Sequence, residues 1–183
     1  MTARDRVLDA YERLLVDAGP AAATLDAVSA TAGVSKGGLL YHFPSKEALV
    51  RGLLERLRHR GLEDAERIRT APEGATAAWL RTSSPPLHDD SGLSRTYVAA
   101  LRVAGSEDAA EHAPAVFAEI DDGWFTALRE QLGDAARARL VQLVGDGLYL
   151  AALSGAEDAG PVPVEDLLAA LGPLLDGPSP RTS

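Results

Sequence analysis

Through the first sixty residues, apolar side chains recur at helical spacing, and the runs are broken at short intervals by residues that stop or start helices. Val7, Tyr11, Leu14 and Ala18 repeat every three or four residues, which predicts a helix from about Arg4 that ends at Gly19-Pro20. Thr24 has an N-cap side chain, and Leu25, Val28 and Ala32 form the inner face of a short second helix. Gly33 suits the left-handed residue of a tight turn, after which Val34 points back to the core. Ser35 then caps a third helix anchored by Leu39 and Phe43, and Pro44 breaks it. Ser45 caps a fourth, in which Leu49, Leu53 and Leu57 step by four toward Leu62 and Ile68.

Beyond Pro72 the helical pattern loosens into segments near 74–82, 93–105, 114–132, 134–154 and 164–171. A Ser/Pro/Asp-rich loop separates the first two, and Gly172-Pro173 is expected to interrupt the last. There is no internal repeat and no alternating strand pattern, so the chain reads as all-α. The division expected is a helix-turn-helix head at 1–44, a connector helix with a helical body at 45–176, and a Gly/Pro/Ser-rich disordered tail at 177–183.

Charge sharpens that division. The 183 residues carry a net −9, but residues 1–60 hold nine Lys/Arg against seven Asp/Glu, leaving nine against twenty beyond them. A near-neutral head beside an acidic body is compatible with a DNA-facing end, although acidic surfaces also keep many soluble proteins apart. The only two lysines, Lys36 and Lys46, bracket the third helix, whereas the other sixteen basic residues are arginine. The absence of cysteine removes disulfides and thiol chemistry. Without a signal-peptide pattern or an apolar run of spanning length, a cytoplasmic location off the membrane is expected. The nucleophile-elbow, Walker and His-Glu-x-x-His patterns are missing, and the four histidines are scattered, so no enzyme activity, metal or cofactor is expected.

The segment from Ser29 through Gly33 and Val34 to Phe43 meets the physical needs of a helix-turn-helix: a small residue at the close approach, a glycine at the corner and an apolar wedge. Residues Thr24 to Leu49, Thr-Leu-Asp-Ala-Val-Ser-Ala-Thr-Ala-Gly-Val-Ser-Lys-Gly-Gly-Leu-Leu-Tyr-His-Phe-Pro-Ser-Lys-Glu-Ala-Leu, closely resemble the DNA-binding head of the TetR family of bacterial repressors, with the likeness covering roughly 4–58. The resemblance implies that Lys36, Gly37 and Gly38 face base edges, that Tyr41, His42 and Lys46 lie against phosphate, and that Thr24 and Ser35 lend donors to phosphates. Lys36 can serve either a guanine edge or the backbone. Tyr41 and His42 have a second reading, as packing between the third and fourth helices. Two departures stand out: the family commonly has tyrosine at Leu40 and alanine at Ser29. A phosphate contact is then missing at Leu40, which is suited instead to a thymine methyl.

In the body, Trp79, Tyr97, Phe117, Trp124, Phe125 and Tyr149, with His88, His112, Gln142 and Asp146, are candidates for a small-molecule pocket, and ordinary core packing is the competing reading of each. Gly147, Ala151 and Gly155 make a small-residue stripe on a helix that is otherwise apolar nearly all round, including Leu140, Val144 and Leu148. A helix with no wet side calls for cover on two faces. Together with Leu167, Leu168 and Leu171 it suggests a four-helix homodimer interface. The expected function is a repressor that grips a palindromic double-stranded operator as a homodimer and is released by a small-molecule effector. The alternative is a helical protein-interaction module that keeps the fold without a specific operator.

Overall fold

The computed structural model describes residues 1–83, 92–153 and 162–176, and among them are ten α-helices and no strand. In chain order they are α1 (Ala3–Ala18), α2 (Leu25–Ala32), α3 (Lys36–His42), α4 (Lys46–Arg69), α5 (Ala75–Thr82), α6 (Leu93–Val103), α7 (Glu107–Ala110), α8 (Ala113–Leu132), α9 (Ala135–Leu153) and α10 (Val164–Asp176). The loop residues 84–91 with His88, the tail 177–183 and Gly155 lie outside the described residues. No helix among the described residues is long and apolar enough to cross a membrane.

These helices gather into two compact units, residues 1–61 with 92–120 and residues 62–83 with 121–176, so α4 and α8 each contribute to both. In the first unit α1 packs on α2 and α3 and also on α6. This second neighbour turns its buried face. Val7, Leu8, Tyr11 and Leu15 are fully buried, while Leu14 is half-buried and Ala18 exposed, so the core side runs one position away from the spacing expected. Tyr11 is enclosed with its hydroxyl lacking a partner among the described residues. Loss of water, and secondarily the charge of Asp108, push its ionisation up to about 12.

A buried carboxylate ties α1 to α4 and α6. Glu12, 3% exposed, takes a hydrogen bond from Arg56 Nη1 at 3.1 Å and another from Thr96 Oγ1 at 3.0 Å, with Arg60 Nη1 at 3.6 Å. Arg60 also donates to the Gly92 carbonyl at 3.0 Å and to the Thr96 hydroxyl. A carboxylate out of water is tolerable only when paired and bonded in this way.

In the second unit α5 packs on α9 and α10. Trp79 of α5 donates its indole N–H toward the Val141 and Gln142 carbonyls at 3.2 and 3.3 Å, and its ring lies 5.2 Å from that of Trp124. Gly145 makes this approach possible. A Cβ there would sit 2.1 Å from Trp79 Nε1, with Ser83 Oγ at 2.8 Å.

The last helix corrects the sequence expectation, because α10 continues through Gly172 and Pro173 to Asp176. Pro173 has no N–H for the Ala169 carbonyl, a loss worth about 3 kcal/mol in a helix interior. Two contacts favour continuation: Leu171 is buried, and Arg137 Nη1 donates to the Leu175 carbonyl at 2.8 Å. The four-residue α7 was not legible in the chain.

Candidate nucleic-acid interface

The head's reading unit is assembled by side-chain caps. Thr24 Oγ1 accepts from the Ala27 N–H at 3.2 Å and opens α2. At the other end Gly33 takes φ 65 and ψ 36, a left-handed conformation that needs glycine. The Val34 N–H reaches back to the Ser29 carbonyl at 3.1 Å and closes the corner. Ser29 is buried, and its hydroxyl donates to the Asp26 carbonyl at 2.9 Å, so the polar atom is satisfied where the helices meet.

Ser35 Oγ accepts from the Gly38 N–H at 3.1 Å and starts α3. Both caps use oxygen lone pairs, so the hydroxyl protons of Thr24 and Ser35 stay free to donate. Leu39 and Phe43 hold the inner side of α3, at 0% and 3% exposure. Gly52 of α4 accommodates Phe43, because a Cβ there would fall 2.6 Å from the Phe43 ring. Ser45 Oγ accepts from the Ala48 N–H at 3.0 Å, which places Lys46 in the first turn of α4.

Of the nine residues nominated for DNA, Thr24, Ser35, Lys36, Gly37, Leu40, Tyr41, His42 and Lys46 are exposed and Gly38 is half-buried. Tyr41 is 85% exposed, with its ring edge-on to His42 at 5.1 Å, so neither fills the space between α3 and α4. Leu40 is 36% exposed. A Cβ at Gly37 would meet nothing within 4 Å, and one at Gly38 only the Ser35 hydroxyl at 3.2 Å. Neither glycine has positive φ. The residue missed by sequence reasoning is Asp26, whose Oδ1 lies 2.7 Å from Lys36 Nζ. Its place in the first turn of α2 gave only the ordinary signal of an acid at a helix N-terminus.

The nominated pocket residues separate. Tyr97, His112 and Phe117 belong to the first unit, where the Tyr97 and Phe117 rings meet edge-on at 5.4 Å. Trp79, Trp124, Phe125, Gln142, Asp146 and Tyr149 belong to the second. There the Trp124 N–H donates to Asp64 Oδ2 at 2.9 Å, and Gln142 Nε2 donates to Asp121 Oδ1 at 2.7 Å. Arg139 bridges this group, donating to Gln142 Oε1 at 2.8 Å with its guanidinium 4.5 Å from the Phe125 ring centre. The Asp146 carboxyl is pushed up, first by loss of water and then by the charge of Asp121, with Arg139 opposing.

On α9, Leu140, Leu143 and Leu150 are 43%, 58% and 67% exposed, and Gly147 and Ala151 are exposed beside them. Val144, Leu148, Leu167 and Leu168 are half-buried, and Leu171 is buried.

A capped α2, a glycine corner and an exposed α3 with glycines in its first turn make up a helix-turn-helix. Residues 7–53 match the family model for bacterial regulatory proteins of the tetR family. An uncharacterised HTH-type transcriptional regulator of Mycobacterium tuberculosis strain CDC 1551 is 30% identical over 122 residues, an alignment covering 56% of this chain and 60% of the relative. Its counterpart in strain H37Rv matches equally. The chain thus spans about three fifths of the length of the curated relatives it matches.

Solved structures extend the likeness of fold. The multidrug binding protein EbrR complexed with imidazole superposes with a TM-score of 0.66 at 23% identity, covering 98% of both chains. A SmeT–triclosan complex gives 0.65 at 24%, covering 86% of this chain and 83% of that one. A transcriptional regulator from Rhodococcus sp. Rha1 gives 0.58 at 26%, covering 95% and 94%.

Proposed function

We infer that this protein is a transcriptional regulator of the tetR type, a repressor that inserts α3 into the major groove of a palindromic operator. The observation that carries this reading is the glycine pair. Two glycines in one short helix cost roughly 2 kcal/mol against alanine. Gly37 has open space around it, and Gly38 touches only the cap, so the packing of the head asks for neither. A surface kept bare of Cβ atoms beside Lys36, Tyr41 and His42 leaves room for the close approach of a large partner, and the neighbouring hydroxyl donors suit a phosphate backbone.

The exposed leucines of α9 around Gly147 give the body an apolar stripe suited to a second copy of the chain. A two-fold dimer presents its two reading helices about 34 Å apart, or a multiple of that. For the effector, the Trp79–Trp124 pair and the Arg139, Gln142 and Asp121 network supply ring faces and convergent polar groups. EbrR is complexed with imidazole and SmeT with triclosan, and a small ring compound is the effector class this chain suits. Such a ligand weakens operator binding by its differential affinity for two arrangements of the protein.

The test is a gel-shift titration over genomic fragments at rising salt, paired with sedimentation. A repressor retards a few fragments at salt levels where the rest are free, and sediments as a dimer at micromolar concentration. Retardation of all fragments alike, or of none in dilute buffer, overturns it.

A further inference from the structure

The two lysines, Lys36 at the start of α3 and Lys46 at the start of α4, stand in different electrostatic settings. Lys46 meets no carboxylate among the described residues. Lys36, the first residue of α3, has its ammonium 2.7 Å from Asp26 Oδ1 in the first turn of α2, with the two side chains 58% and 74% exposed. Both elements are held in place by their caps, Thr24 on Ala27 and Ser35 on Gly38, so the pair spans the helix-turn-helix corner at fixed ends. This matters for what Lys36 can do at DNA. A lysine bound to a phosphate gives up one anion for another and leaves Asp26 facing the phosphate, so the exchange gains little. A guanine edge offers the uncharged acceptors O6 and N7. The ammonium has three donors, so it can keep one on Asp26 and direct the others to the base.

We propose that Asp26, by holding Lys36 Nζ across the corner of the helix-turn-helix, is a specificity-determining residue that discounts this lysine against phosphate and reserves it for a base edge. The proposal rests on the operator-binding reading above. Lys46, with no carboxylate partner among the described residues, supplies phosphate affinity without discrimination. An exposed ion pair of this kind shifts an equilibrium by about 1.5- to 5-fold, which sets the size of the effect.

The experiment uses the full chain and its Asp26→Asn, Asp26→Glu, Lys36→Ala and Asp26→Asn/Lys36→Ala variants, all first shown to melt like wild type. Each is titrated against a random-sequence duplex of about 30 base pairs and against a duplex enriched from a random pool by the wild-type protein, at several salt concentrations. Asp26→Asn is expected to bind the random duplex about 2- to 5-fold more tightly, with its salt slope steeper by about one, and to gain less on the enriched duplex. Asp26→Glu keeps the wild-type ratio, and Asp26→Asn has no effect once Lys36 is alanine.

An equal gain in the Lys36→Ala background overturns the proposal, because Asp26 then acts by repelling phosphate and not through the lysine. An unchanged ratio in Asp26→Asn overturns it as well. These failures leave the operator reading standing, since wild type still discriminates. Wild type that holds neither duplex in dilute buffer removes both.

Discussion

Helices α3 and α9 each carry two glycines in close succession, and the reasons for them lie on opposite sides of the protein surface. In α9, Gly145 is demanded from within: the Trp79 indole occupies the place where a Cβ would be. In α3, Gly37 is demanded by nothing among the described residues. Gly147 resembles Gly37 in this respect, since it too has open space around it, here among exposed leucines. A helical glycine costs about 1 kcal/mol against alanine, so its cause has to be found. When no neighbour in the structure supplies it, the cause is looked for in a partner.

The comparison can be broken at Gly145 first. Gly145→Ala is expected to force α9 off Trp79 and destabilise the fold by about 1–3 kcal/mol, read by urea denaturation. Stability within a few tenths of wild type would mean that the Trp79 contact is loose. Gly37→Ala comes next and runs the other way. It should raise stability by up to about 1 kcal/mol while weakening DNA binding by about tenfold or more. A stabilised variant with intact DNA affinity would remove the argument that Gly37 makes room for a partner. The smallest effect on stability is expected for Tyr41→Ala, within about 0.5 kcal/mol, because the ring is solvent-exposed. Its DNA affinity should fall clearly in a gel shift. An unfolded head would instead return Tyr41 to the core.

How much of this was legible in the chain follows from the range over which each signal acts. Thr24, Gly33, Ser35 and Ser45 do their work within three to five residues of themselves, and the structure places each cap and corner where the sequence put it. The buried face of α1 was displaced because α6, far along the chain, also packs on it. Nothing local marks Gly145 for its role, since the Trp79 that would collide with a Cβ there lies far from it in sequence. The ion pair of Asp26 with Lys36 crosses a turn, and charge alone does not reveal which of several acids a lysine will meet. Pro173 misled because a strong local breaker was outweighed by the burial of Leu171 and by a bond from Arg137.

The Glu12 carboxylate decides how this reader can be transplanted. A portable cassette trimmed to α1 through α4 would lose Thr96, and with it one of the donors that keep an ionised group tolerable in an oily interior. Each such donor removed from a buried charge costs about 1–3 kcal/mol or more. Anyone grafting this head onto a foreign sensor must therefore bring α6 along, or replace Glu12 with an apolar side chain of similar bulk.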